Sequence, residues 1–326
     1  MDVIKTFQIS GPVRPEQRLI GRGPTVDALE HQVVVSRQAT LLVRERRAGK
    51  TSVALALIDR IRLRDDAWAL EVDLAAPILS SEELAKRLAE QARAAGVRLG
   101  SRRVGLRTGL RKALSEVAEP AVGDAASALG MDTGADVSKV AAAIDTLLSP
   151  VEAGAANLAG VLAGIRAAAV AEDRFVLILI DEIGRLVTDW SQPEDSRRAQ
   201  HALAAVMRVP DSRIVLLLAG SDRAANAALL ADGEPLHHDG LSFLLPEISR
   251  EDWHHGLTER FLEISAAIDR ERINQILAAS GGHAQRTMRV CAHVEQLLGE
   301  ERLFDITEGL VEQAIELARS HPSWSD

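Results

Sequence analysis

The chain has no tyrosine, and aromatic residues make up only 3% of its 326 positions. Alanine and leucine must fill the core in their place, a composition that favours helix. Cysteine occurs once, at Cys291, which excludes a disulfide framework and a thiolate metal cluster. Within a helical pattern this thiol reads as a small core residue. Long apolar runs are also missing. The most membrane-like stretch, "AGAANLAGVLAGI", spans about 13 residues, short of the roughly 20 that a bilayer-crossing helix requires. The N-terminal "MDVIKTFQISGPVRPEQ" lacks a basic segment followed by an apolar one, so no signal peptide is read and a soluble cytoplasmic protein is expected. Positive charge is not in excess: the formal net charge of −9 excludes a protein that coats nucleic acid indiscriminately, though it leaves room for a local basic patch.

What is present is an ordinary globular balance, 47% apolar and 26% charged, in a chain long enough for one large domain and a smaller one. Residues 1–20 read as an extended arm. In "GRGPTVDALEHQVV" a turn at Gly21 and Gly23 precedes a helix with Pro24 in its first turn and Leu29, Val33 and Val34 on one face. Short apolar runs at "TLLVR", "AWALEVDL", "RFVLILIDEI" and "SRIVLLLAGS", with a weaker one at "LSFLLPEIS", read as strands. Helical patterns alternate with them, among them "SSEELAKRLAEQARAAG", capped by Ser80 or Ser81 and stopped by Gly96. Strands apolar on both faces and alternating with helices predict an α/β fold with a parallel five-stranded sheet flanked by helices. Residues 97–170, basic at first and then rich in Gly and Ala, read as a helical insertion in a core that runs from 21 to 247. Residues 248–326 show only helices, broken at "SGGH" and near 304–307, and predict a small helical C-terminal domain.

The segment "ATLLVRERRAGKTSVALALI" sets a strand, a basic loop and a helix in sequence. Backbone amides between a strand end and a helix start converge on an anion, and the helix dipole adds partial positive charge. Gly49 lets the backbone approach phosphate, Lys50 supplies a point charge, and the Thr51 hydroxyl suits Mg2+. Arg47, Ala48 and Ser52 complete the cofactor-binding stretch. The pattern GxxxxGK(S/T) has glycine where this chain has Arg44. That position requires a tight bend more than phosphate contact. Further on, "VLILIDEI" ends a buried strand in two acids: Asp181 for the Mg2+ shell and Glu182 to orient and deprotonate water. Ser221, ending "LLLAGS", either positions water or touches the γ-phosphate beside the Glu182 strand end, or caps the following turn or helix. His237, His238 and Asp239, with His254 and His255, lack the spacing of a zinc site and read as solvated loop.

Together these residues resemble the AAA+ branch of P-loop ATPases, within it the prokaryotic archaeal-type or STAND-related group. The likeness runs from "LIGRGPTVDALEHQV" through "RERRAGKTS", "VLILIDEI" and "LLLAGS" to "LAASGGHAQRTMRV" and "ITEGLVEQAIELA", the last two being similar to the family's helical lid. It implies ATP and Mg2+ as cofactors, Gly21 and Arg22 near the base, and Lys50 and Thr51 on phosphate and metal. It implies Asp181 as metal ligand, Glu182 as catalytic base, Ser221 as first sensor, and Arg286 or Arg289 as the lid arginine. An arginine before the fifth strand is not evident, and the chain stops about where the lid should end.

From Arg93 to Lys112 the chain carries Arg93, Arg98, Arg102, Arg103, Arg107, Arg111 and Lys112 with no acid between them. The stretch either meets nucleic-acid phosphate or pairs with an acidic surface, and it has no aromatics for base stacking. Three functions therefore stand: an Mg2+-dependent regulatory ATPase coupled to a protein partner or to its own oligomer, a nucleotide-binding switch with little turnover, and a DNA-associated helper ATPase.

Overall fold

The computed structural model describes residues 6–7, 11–13, 18–75, 78–99, 157–209, 213–237, 241–301 and 305–324. By packing, these residues form two compact units. One is made of Glu30–Val43 and Leu57–Phe243. The other is made of Met1–Leu29, Arg44–Ala56 and Leu244–Asp326.

The first unit holds the sheet. Its strands are β1 (Thr40–Val43), β2 (Ala67–Asp73), β3 (Phe175–Asp181), β4 (Ile214–Gly220) and β5 (Leu241–Leu244), in the order β2-β3-β4-β1-β5. β2, β3, β4 and β1 pair in parallel, with Asp73 opposite Asp181, Ile180 opposite Leu218 and Val43 opposite Gly220. Every residue of β3 and β4 is buried, as expected of strands apolar on both faces and covered by helices. β5 is short and largely exposed, in keeping with its weaker apolar signal. The π-helical turn at His31–Val35 continues α1 (Gly23–Glu30), whose residues up to Leu29 belong to the other unit, and keeps Val33 and Val34 buried beyond the regular helix. α2 (Lys50–Arg62) follows β1, and α3 (Ser81–Ala94) follows β2. Ser80 caps α3 by accepting from the Glu83 amide, while the Ser81 amide donates to Asp195 at 2.8 Å. Gly96, just past the helix end, has φ +80°.

α4 (Leu158–Ala171) is capped by Asn157 and packs against the same core, so the Gly/Ala-rich segment is helical where it is described. Residues 100–156, including the expected helix near 136–148, lie outside the described residues. α5 (Arg185–Thr188) and α6 (Pro193–Arg208) follow β3, and α7 (Arg223–Leu229) follows β4.

The second unit carries the C-terminal helices α8 (Arg250–Glu263), α9 (Arg270–Ser280), α10 (Ala284–Glu301) and α11 (Glu308–Ser320). α9 ends at Gly281, φ +64°, within "SGGH", the break read from the sequence. Trp253, Leu257, Phe261, Val290, Val294 and Val311 form the core of these helices. Phe7 is fully buried among them, its ring 4.6 Å from that of Phe261. Cys291 is fully buried too, and burial pushes its thiol well above the ordinary range, which makes it an inert core residue. Among the described residues no helix is long and apolar enough to cross a membrane.

Candidate functional site

The loop that leaves β1 belongs to the unit holding the C-terminal helices. It passes twice through left-handed backbone, at Arg47 (φ +64°) and at Gly49 (φ +94°). Alternation of this kind turns successive amides toward one point, the geometry of an anion nest. Lys50 opens α2, and its Nζ donates to the carbonyls of Arg44 (2.9 Å) and Glu45 (2.8 Å), folding the ammonium back over the loop. The Ser52 hydroxyl accepts from the Val13 amide at 3.0 Å, which ties the N-terminal arm to the start of α2.

Arg44 stands in place of the customary first glycine and reaches across the chain. Its Nη1 donates to the Leu245 carbonyl (2.9 Å), its Nη2 to Glu247 (2.7 Å) and its Nε to Glu45 (3.0 Å). Burial opposes its charge, but the bonds to Glu247 and Glu45 outweigh this and hold the guanidinium above its ordinary range. Glu45 feels the reverse: burial favours its neutral form, and the Arg44 contact prevails to keep its carboxyl below the usual range.

Arg22 is nearly fully buried. It donates from Nη1 to the Pro246 carbonyl (2.6 Å) and from Nη2 to the Ala48 carbonyl (3.0 Å). Burial, then the nearby charge of Arg44, pushes its guanidinium down to about 10. Beside it Gly21 has φ +62°, and a Cβ there would lie 2.6 Å from Asp252 Cβ, so only glycine fits.

A cavity of about 490 Å³ opens within this unit, of the size that small ligands occupy. Ile248, Trp253 and Leu277 supply apolar wall, and Arg22, Arg44 and His283 supply polar groups. His283 follows the glycine pair after α9, and its Nε2 donates to the Arg46 carbonyl at 3.1 Å. A carbonyl can only accept, so the ring carries its proton on Nε2. Burial holds this imidazole below the ordinary histidine value.

Of the two arginines that the resemblance put forward, Arg286 lies with its guanidinium carbon 5.8 Å from the centre of the Trp324 ring. Arg289 is only 5% exposed, and burial followed by the charge of Arg47 lowers its affinity for the proton. Arg289 thus lies within electrostatic reach of the loop.

The unit that holds the sheet carries the acids. β3 ends in buried Asp181, and Glu182 follows with φ +53°, left-handed backbone that a non-glycine residue adopts only at a cost. The Glu182 amide donates to Asp181 Oδ1 at 2.9 Å. Ser221, just past β4, donates its hydroxyl to the two Glu182 carboxylate oxygens at 2.9 and 2.8 Å, and its amide to Oε2 at 3.3 Å. The structure therefore joins Glu182 and Ser221, the pair that the sequence placed on neighbouring strand ends. The Thr51 hydroxyl and the Asp181 carboxylate are hard oxygen donors, the class that Mg2+ takes. Among the described residues no three His, Cys, Asp or Glu side chains are grouped to hold a metal.

His237 bonds the Leu230 carbonyl at 2.7 Å and His254 bonds Asn274 at 3.0 Å, so both fasten local structure. His238 and Asp239 lie outside the described residues, as do Arg102, Arg103, Arg107, Arg111 and Lys112 of the basic stretch; Arg93 lies in the last turn of α3 and Arg98 follows the helix. Sequence reasoning missed Glu247, His283, Trp253 and Asn226. Of these only His283 had a local signal, its position beside the glycine pair.

No protein-family profile matches the chain, and no curated protein matches it. Solved structures do. The Aeropyrum pernix ORC2 protein, in ADPNP–ADP complexes, has a TM-score of 0.60 at 14% identity over 97% of this chain and 72% of its own. The Walker-type ATPase paby2304 of Pyrococcus abyssi gives 0.60 at 15% identity over 96% and 75%. The Aeropyrum pernix ORC1 protein in complex with DNA gives 0.50 at 16% identity over 93% and 65%. Likeness at such identity speaks to architecture alone: the chain shares with these structures an α/β fold, a parallel five-stranded sheet in the order β2-β3-β4-β1-β5 with flanking helices.

Proposed function

We propose that the chain binds ATP with Mg2+ and hydrolyses it, using nucleotide state to act on a partner protein or on copies of itself. The observation that carries this reading is the loop after β1, with left-handed turns at Arg47 and Gly49 and the Lys50 ammonium folded over the loop's own carbonyls. Amides of residues 47–52 take the phosphates, and Lys50 exchanges its carbonyl partners for phosphate oxygens. Arg22 and the apolar wall of Trp253 and Leu277 make room for the nucleoside. Thr51 and Asp181 are the residues to hold Mg2+, which when bound neutralises phosphate charge and acts as a Lewis acid. Glu182 takes the proton of the attacking water, and Ser221 holds its carboxylate in place. Arg289, buried and near Arg47, is placed to add charge at the phosphates; Arg286 is the alternative lid arginine. The narrower placement among archaeal-type, STAND-related ATPases and a cytoplasmic location are parts of the same proposal.

Phosphate release and light scattering on the same fractions, with and without ATP and Mg2+, test it. Hydrolysis should vanish in Lys50→Ala together with nucleotide binding, and in Glu182→Gln with binding kept. If calorimetry at millimolar ATP with Mg2+ gives no heat, the reading fails. Arg44, at the glycine position, favours a second reading in which the chain is a slow nucleotide switch. In that case ATP binds but the rate ignores Glu182→Gln. A DNA-associated role draws on the DNA-bound A. pernix ORC1 neighbour and on Arg93 and Arg98. It requires DNA-stimulated turnover that falls steeply with salt.

A further inference from the structure

Asn226, on α7, is only 7% exposed and takes no part in the roles assigned above. Its Nδ2 donates to the Gly220 carbonyl at 3.1 Å. The orientation of the amide is fixed by that contact, because the flipped form would set two oxygens face to face. The Gly220 carbonyl belongs to the same peptide group as the Ser221 amide, and that amide donates to Glu182 Oε2 at 3.3 Å. One rigid plane is thus gripped at its oxygen by Asn226 and presents its N–H to the carboxylate at the other end.

The surroundings are shaped to admit this side chain. A Cβ on Gly220 would collide with the Asn226 amide, and one on Gly184 would lie 2.9 Å from Ala225 Cβ and 3.4 Å from Asn226 Oδ1. Two glycines, one preceding Ser221 and one following Glu182, therefore make the slot that Asn226 fills. Asn226 Oδ1 has no hydrogen-bond partner among the described residues although it is buried. A buried acceptor left unmatched is a cost that an apolar residue of the same size would avoid. Fixing the Gly220–Ser221 peptide is what asparagine supplies and such a residue does not. Hydrogen bonds linked through a peptide polarise one another, so the grip on the carbonyl also strengthens the amide as a donor. Glu182 itself sits in left-handed backbone, and its side-chain direction depends on what holds it from outside.

We propose that Asn226 is a positioning residue for Glu182, acting through the Gly220–Ser221 peptide and the Ser221 hydroxyl. The proposal rests on the reading of Glu182 as the hydrolytic base. It is tested with Asn226→Leu, which keeps the approximate volume and removes the donor, and with Asn226→Asp, which keeps the shape and turns an acceptor toward the Gly220 carbonyl. Three quantities are measured: ATP affinity, kcat, and hydrogen exchange of the Ser221 amide by NMR. Expected are an affinity within twofold of the parent chain, a kcat at least tenfold lower, and Ser221 exchange at least tenfold faster. Asn226→Leu added to Glu182→Gln should lower the residual rate no further. A merely structural Asn226 would lower stability and leave Ser221 exchange in step with its neighbours; that result, or an unchanged kcat in a folded variant, overturns the proposal. Should the leucine variant fail to fold, the aspartate variant decides by the same readings. If Glu182→Gln hydrolyses ATP like the parent chain, the hydrolytic reading fails instead, and Ser221 exchange still reports whether Asn226 fixes the peptide.

Discussion

At Gly220 the absence of a single carbon decides how β4 ends. A methyl group there would run into the Asn226 amide, and Asn226 cannot retreat without releasing the carbonyl it holds. Gly220→Ala should therefore lower stability by about 1–3 kcal/mol, the range for an overpacked core, as read by denaturant unfolding. A loss within experimental error would mean that α7 shifts freely. Gly49 differs, since a Cβ there meets no protein atom within 4 Å and what requires glycine within the chain itself is φ +94°. Arg44 shows how far single residues were legible. Its departure from the glycine pattern is plain in the sequence, but Leu245 and Glu247, its partners, lie far along the chain and carry no local sign of the contact. Glu247 is 83% exposed on its side chain, so that ion pair alone contributes little. The bond to the Leu245 carbonyl, from a largely buried guanidinium, contributes more.

Elements were easier to read than their contacts. β3 and β4 announce themselves because a strand covered on both faces needs apolar residues at every position. Ser80 and Gly96 mark the ends of α3 by local chemistry, so both ends were legible. The π-helical turn at His31–Val35 was not, because no residue in "HQVVV" distinguishes it from a regular helical turn. The cavity was illegible for another reason: its walls come from the loop after β1, the segment before α8, and helices α8 and α9. α10 and the turn before it carry a pH dependence. Burial holds His283 and His293 below the ordinary histidine value of about 6.5. Below that value the unfolded chain binds protons that the folded unit refuses. The stability due to the neutral rings is complete above about pH 6.5 and is lost as pH falls through the lowered folded values. The melting temperature should fall between pH 7 and pH 5, and more shallowly in His283→Asn. An identical slope in that variant would remove His283 from the account.

Ligand and fold are coupled at the level of the whole chain. A nucleotide that binds only the folded protein at about a hundred times its Kd adds about 2.7 kcal/mol. ATP with Mg2+ should raise the melting temperature by several degrees, and Lys50→Ala should abolish the rise; differential scanning fluorimetry reads both. The division into two units also has a bearing on synthesis. Glu30–Val43 and Leu57–Phe243 are complete before the first residue of α8 is translated, whereas Arg44–Ala56 groups with Leu244–Asp326. At roughly 5–20 residues per second, a ribosome needs about 4–16 s to deliver residues 244–326. During that interval the nascent chain can assemble its sheet while Phe7 and the loop carrying Lys50 still wait for the helices they pack with. The loop proposed to take the phosphates, although synthesised early, is thus among the last parts of the chain to mature.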